Sequence, residues 1–86
     1  MDNKQIEISD KILEVAEKYS GKLYESTIYS ELYDVGYNGK DFMNLLTILI
    51  EDYNLFRRKG DGTSILYLTN KGHKAKKGNE KIFKRD

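Results

Sequence analysis

The sequence predicts a small α+β domain that is mainly helical. Three segments carry apolar residues at the 3.6-residue period of an amphipathic helix. A later segment has β-branched and aromatic residues after an Asp-Gly pair, which is typical of a β-hairpin. The 86 residues, of which 38% are hydrophobic, suffice for one modest core. We therefore expect a three-helix core, a two-stranded hairpin and a short C-terminal helix.

The first helix is predicted from the apolar spacing within residues 8–19. Its start has two candidates, because Ser9 is a residue type that caps helices and the chain also allows a start near Asn3. Gly21 supplies a residue type at which helices commonly stop. The segment 22–24 that follows is short, apolar and predicted to be extended.

The second helix is predicted over residues 27–34, with Ser26 as its N-terminal cap. Gly36 ends it, and Asn38 and Gly39 tolerate the positive φ angles of a turn. A gap of about four residues before the next helix sets two helices at a steep angle. The apolar residues expected in the core are Ile28, Leu32 and Val35.

The third helix, predicted over residues 40–53, separates two faces when it is projected at 100° per residue. Asp41 is expected to cap its first turn and to compensate the helix dipole. Ile48 lies near the solvent side. The apolar arc of about 160° holds Phe42, Met43, Leu45, Leu46, Leu49, Ile50 and Tyr53, and the opposite row holds Lys40, Asn44, Thr47 and Glu51.

After the third helix the pattern changes to that of strands. Residues 55–59 and 63–68 are predicted as the two strands of a hairpin, with the Gly-Asp-Gly turn at 60–62 between them. Thr69 can cap a last short helix that runs over residues 70–77. The chain is thus expected to leave its helical core through a hairpin and to end on a helix.

Charge is distributed unevenly along the chain. Residues 1–35 carry four lysines and eight acids (−4), residues 36–55 carry one lysine and three acids (−2), and residues 56–86 carry ten basic and three acidic residues (+7), which add to the total of +1. The basic third spans the end of the predicted domain, 1–77, and a lysine-rich tail, 78–86. It predicts a surface that attracts polyanions. The alternative is that the tail is a solvated, disordered segment.

Composition also excludes several classes of function. The chain has no cysteine and one histidine, and no nucleophile, base and orienting group form a recognisable motif. His73 is expected on the surface. We therefore expect neither an enzyme nor a cofactor or metal site. No apolar run approaches the roughly 20 residues of a membrane span, and a signal peptide is not recognisable at the N-terminus, so a cytoplasmic protein without a membrane partner is expected.

The order of these elements over residues 8–68 resembles the winged helix-turn-helix superfamily. Two local phrases support the resemblance. The segment 54–56 resembles the exit from a recognition helix of that superfamily, and the segment 67–72 resembles the end of its wing. Neither phrase identifies a subfamily. The resemblance implies a regulator of transcription that binds double-stranded DNA.

By position, the resemblance puts helix 40–53 in the major groove and the wing, 56–68, against the DNA backbone. Asn44 carries an amide that can read adenine, Lys40 can reach guanine or phosphate, and Thr47 offers a methyl group to thymine. Basic side chains of the wing and last helix would hold phosphates. The expected DNA-binding residues are Asn38, Lys40, Asn44, Thr47, Arg57, Arg58, Lys59, Thr63, Lys71 and Lys74.

The acids of the third helix, Asp41, Glu51 and Asp52, support a second hypothesis. The helix would then serve a protein-protein interaction, either with another protein or with a second copy of the chain, through a surface that includes Leu45 and Ile48. A homodimer is also expected under the DNA-binding hypothesis, because half-sites one helical turn apart suit symmetric pairs. A third hypothesis is RNA binding through the lysine-rich tail.

Overall fold

Four helices and a three-stranded antiparallel sheet form the described part of the chain, which comprises residues 2–59 and 64–76 of a computed structural model. The predicted class, α+β and mainly helical, is confirmed. The predicted hairpin tip, Thr63 and the tail lie outside the described residues. The elements in chain order are α1 (Asn3–Lys18), β1 (Lys22–Tyr24), α2 (Glu25–Asp34), α3 (Gly39–Glu51), β2 (Phe56–Arg58), β3 (Ile65–Leu68) and α4 (Asn70–Lys76).

Helix α1 begins at the earlier of its two predicted starts. The Asp2 carboxylate accepts the Gln5 backbone N–H at 2.8 Å, and the Gln5 side chain accepts the Asp2 N–H at 3.0 Å, which completes a capping box. The alternative cap, Ser9, is wrong, because that residue is fully buried within the helix. Gly21 (φ +79°) ends the helical region as expected, and its N–H donates to the Ala16 carbonyl.

Helix α2 begins directly after β1, at Glu25. Its N-cap is Tyr24, whose side chain makes no capping hydrogen bond, so the predicted Ser26 cap is wrong. The start is fixed instead by the sheet, since the Glu25 N–H donates to the Ser64 carbonyl at 2.8 Å. Val35 was expected in the core but is 51% exposed, because it caps the helix C-terminus with non-helical backbone angles.

Helix α3 begins at a capping box and ends two residues before the predicted Tyr53. The Asn38 side chain accepts the Lys40 N–H at 3.0 Å, and the Asp41 carboxylate accepts the Asn38 N–H at 3.0 Å. The capping role predicted for Asp41 is thus confirmed. Asn54 (φ +55°) turns the chain sharply after the helix and directs it into β2.

The two faces of α3 agree with the projection in the middle of the apolar arc and differ at its edges. Phe42, Leu46 and Leu49 are buried as predicted. Met43, at one edge of the arc, was expected to be buried but is 61% exposed, because the neighbouring elements do not cover that edge. Leu45, at the other edge, is only 2% exposed, so its predicted place on an interaction surface is wrong.

The sheet contains the predicted hairpin and one additional strand. Strands β2 and β3 pair antiparallel, which confirms the hairpin, although both are shorter than predicted. The extended segment 22–24 adds β1 to the other edge of β3, so the strand order is β1-β3-β2. The inner face of the sheet contributes Leu23, Phe56, Leu66 and Leu68 to the core.

Helix α4 closes the core against α1 and the sheet. Thr69 caps it as predicted, since its hydroxyl oxygen accepts the Gly72 N–H at 3.1 Å while its O–H donates to the Asn54 carbonyl at 2.6 Å. A Cβ at Gly72 would collide with the Leu55 carbonyl oxygen and would lie 2.5 Å from Cδ1 of Leu68. Only glycine at position 72 therefore allows α4 to pack so closely against Leu55 and Leu68.

Candidate nucleic-acid interface

The solvent face of α3 presents three of the predicted DNA-binding residues in one row. Lys40, Asn44 and Thr47 are all exposed, and their spacing places them on one side of the helix. We call these three residues the reading row. The opposite side of the helix is held by the buried Phe42 and Leu49, so the orientation of the reading row toward solvent is fixed by the core.

An acidic side chain, that of Asp41, lies in the first turn of α3 next to the reading row. Lys4 Nζ lies 3.1 Å from Oδ1 of Asp41 and forms an ion pair that joins α1 to α3. The hydrogen bond from the Asn38 N–H, followed by the one from Lys4, lowers the pKa of Asp41 below its usual range. The Asn38 side chain already accepts the Lys40 N–H, so that backbone donor is occupied within the helix cap.

The two arginines of β2 have different surroundings. Arg58 donates from Nε and Nη2 to Oε1 of Glu25, at 3.1 and 2.7 Å, and so connects β2 to the start of α2. The Arg57 guanidinium instead lies 5.3 Å from the ring centroid of Tyr67 on the outer face of the sheet. Adjacent basic residues that look alike in the sequence thus have different contacts.

The outer face of the sheet carries a basic residue that the sequence did not single out. Lys22 and Arg57 stand opposite Tyr67 on its two neighbouring strands. Lys22 Nζ lies 5.8 Å from the centroid of the Tyr67 ring, so two cations contact one ring. We call Lys22, Tyr67 and Arg57 the sheet row. Only the strand register brings these residues together, and no local pattern in the sequence reveals it.

The predicted residues on α4 lie far from the start of α3. Lys71 and Lys74 are exposed, and between them His73 is partly buried, with Nδ1 2.9 Å from Oε1 of Glu17 near the end of α1. The start of α3 is instead joined to Lys4 at the beginning of α1. These two positions on α1 are about 20 Å apart at 1.5 Å per helical residue. The basic residues therefore divide among α3, the sheet and α4.

Two kinds of feature are absent from the described ranges. In residues 2–59 and 64–76, no group of three or more His, Asp or Glu side chains could hold a metal ion. No helix in the same ranges is both long and apolar enough to cross a membrane. Comparison of the chain with protein-family models, curated proteins and solved structures gave no match.

Proposed function

We propose that the chain is a winged helix-turn-helix domain that binds double-stranded DNA as a small transcriptional regulator. The observation that carries the proposal is the reading row, which consists of Lys40, Asn44 and Thr47 on the exposed side of α3. Two further features support it. Helices α2 and α3 are joined by a short turn, and α3 leads directly into an antiparallel hairpin.

The chemistry of the reading row suits the major groove, which admits an α-helix. The Asn44 amide can pair with adenine, Lys40 can reach guanine or a phosphate, and the Thr47 methyl group can contact thymine. Recognition helices contact bases mainly through their N-terminal part. The acids Glu51 and Asp52, at the other end of α3, would then lie outside the groove.

Phosphate contacts would come chiefly from the wing, where Arg57 and Lys59 are exposed. Arg58 would contribute less, because its guanidinium already binds Glu25. If about five phosphates are neutralised, log affinity should fall with log salt concentration at a slope near −4.5. The slope therefore counts the phosphate contacts independently of base recognition.

The test begins with selection of a preferred site from random duplexes at about physiological salt, followed by fluorescence anisotropy on that site. Asn44→Ala should weaken binding to the selected site by about 5- to 150-fold and relax the preference at one base pair. Lys71→Ala, on α4, is the control. Although Lys71 was among the expected DNA-binding residues, α4 lies far from the start of α3, so this variant should bind almost as tightly as the original protein. Absence of duplex binding at low salt, or an Asn44→Ala protein with unchanged affinity and preference, would refute the proposal.

A second candidate function is protein interaction through α3. The observation that favours it is Met43, a large apolar side chain of α3 that is 61% exposed. Of the two residues predicted for the interaction surface, Leu45 is buried and Ile48 is only partly buried. Sedimentation equilibrium should then give the mass of a dimer for the original chain and of a monomer for Met43→Glu. A monomeric original chain that captures no partner would count against this function.

A further inference from the structure

A groove runs beside the outer face of the sheet, where β1 meets α2. Its volume is about 370 Å3. Two tyrosine rings on its wall remain open to solvent, since Tyr19 is 41% and Tyr24 is 57% exposed. Large aromatic side chains gain little stability when they are left in water. The residues that line the groove, which we call the tyrosine groove, are Tyr19, Lys22, Leu23, Tyr24, Thr27 and Ile65.

The tyrosine groove continues into the sheet row, because Lys22 belongs to both. Lys22 and Arg57 direct their charges at the Tyr67 ring, and such a contact leaves each cation with its full charge. Two acids beside this region are paired with cations. Glu25 accepts from Arg58 at 2.7 Å, and Glu31 accepts from Lys18 at 2.9 Å. The surface therefore combines accessible aromatic rings with positive charge.

We propose that the tyrosine groove and the sheet row bind single-stranded nucleic acid. Unpaired bases would stack on Tyr24 and Tyr19, while Lys22 and Arg57 bind the phosphates between them. Proteins that bind single strands combine a positive groove with aromatic platforms in this way. A duplex is a poor occupant for this groove, because its bases are stacked on one another and do not present their faces to protein side chains.

This binding mode does not rest on the duplex-binding proposal. Two of its residues, Tyr24 and Lys22, lie outside the reading row and outside the wing residues assigned to duplex phosphates, whereas Arg57 would serve both binding modes. Asn44→Ala should therefore leave single-strand affinity unchanged. Tyr24→Ala should leave affinity for the selected duplex unchanged. If the chain binds no duplex at all, the result for the single strand still decides this inference.

The direct test is fluorescence anisotropy with a labelled oligothymidylate of about 12 nucleotides, within the range of site sizes found for single-strand binding domains. An abasic strand of the same length serves as the second probe. Tyr24→Ala should weaken binding to oligothymidylate by about tenfold, the effect of losing one stacked base. Tyr24→Phe should retain binding because it keeps the ring. Circular dichroism of each variant verifies that the fold is intact.

A second variant probes the charges separately. Lys22→Ala should reduce the magnitude of the salt slope by about 0.7 on the single strand, whereas Lys71→Ala, which removes a lysine from α4, should not affect the slope. This variant also keeps the test decisive if Tyr24→Ala fails to fold. The inference is overturned if oligothymidylate is not bound, if the abasic strand binds equally well, or if neither Tyr24→Ala nor Lys22→Ala changes the affinity.

Discussion

Helix α3 and the three-stranded sheet have similar inner faces and very different outer faces. Both bury leucine and phenylalanine side chains in one core. On its outer side, α3 exposes a reading row with a single lysine, whereas the sheet places two cations on one tyrosine ring. Groups suited to reading bases and groups suited to attracting phosphates thus lie on different elements. In the proposed function, selectivity depends on α3 and much of the affinity depends on the sheet.

The largest expected effects concern the inner faces. Those of α3 and of the sheet should contribute about equally to the stability of the fold. Leu49 on α3 and Leu66 on β3 are both fully buried. Leu49→Ala and Leu66→Ala should each lower the free energy of unfolding by about 2–5 kcal/mol, because each leaves a cavity in the core. Urea denaturation measures the loss. Thr47→Ala, on the exposed side of α3, is the control, and losses no larger than that of the control would contradict a shared core.

The next effect concerns Gly72, where α4 packs against the segment that follows α3 and against β3. A methyl group at position 72 would collide with the Leu55 carbonyl oxygen and the Leu68 side chain. Gly72→Ala should therefore destabilise the fold by about 1–3 kcal/mol, as overpacking does in other cores. Thermal unfolding should show the difference. Lys71→Ala, in the same helix but exposed, should have little effect, and equal stability of the two variants would argue against the close approach.

The neighbouring arginines of β2 offer a smaller and sharper contrast. Arg58→Ala should cost up to about 1 kcal/mol of stability, since it breaks a partly exposed ion pair with Glu25. A double-mutant cycle with Glu25→Gln isolates that contribution. Arg57→Ala should lose no more than the small contribution of an exposed cation–π contact with Tyr67, and it should reduce the salt slope of duplex binding by about 1. If the two variants behaved alike in both measurements, their different surroundings would have no consequence.

The smallest effect is a pH dependence at the start of α3. The pKa of Asp41 is lowered by its hydrogen bond from Asn38 and by Lys4, so the ionised form is favoured in the folded state. Its stabilising contribution is therefore complete above the unfolded pKa of about 4 and is lost as the pH falls through the lower folded value. Urea unfolding between about pH 6 and pH 2 measures the free energy of unfolding, which should fall less steeply with decreasing pH for Asp41→Asn than for the original chain. Identical profiles would contradict this contribution.

Local patterns predicted much of α3 and little of the sheet's outer face. The burial of Phe42 and Leu49 and the cap at Asp41 follow from spacing within one helix, so the sequence contains them directly. Whether Met43, at the edge of the apolar arc, is buried depends on what packs beside the helix, and its exposure was not predicted. A projection of one helix cannot include those neighbours.

The sheet row is a different case, because Lys22 and Tyr67 are far apart in the chain and meet only through the pairing of β1 with β3. The same pairing determines where α2 starts, which explains why the Ser26 cap was wrong. An extended segment at 22–24 was predicted, but its partner strand was not. Long-range strand register thus explains why the sheet row and the start of α2 were not predicted.

The most direct test of the proposed function is a 1H-15N NMR titration of the chain with its selected duplex. We expect the largest chemical-shift changes at the reading row and at Arg57 and Lys59, with little change at Lys71 and Lys74 on α4. Side-chain amide resonances of Asn44 should shift as well, because that group is proposed to contact a base. Shifts confined to α4, or no shifts at α3 under conditions in which the duplex is bound, would contradict the account.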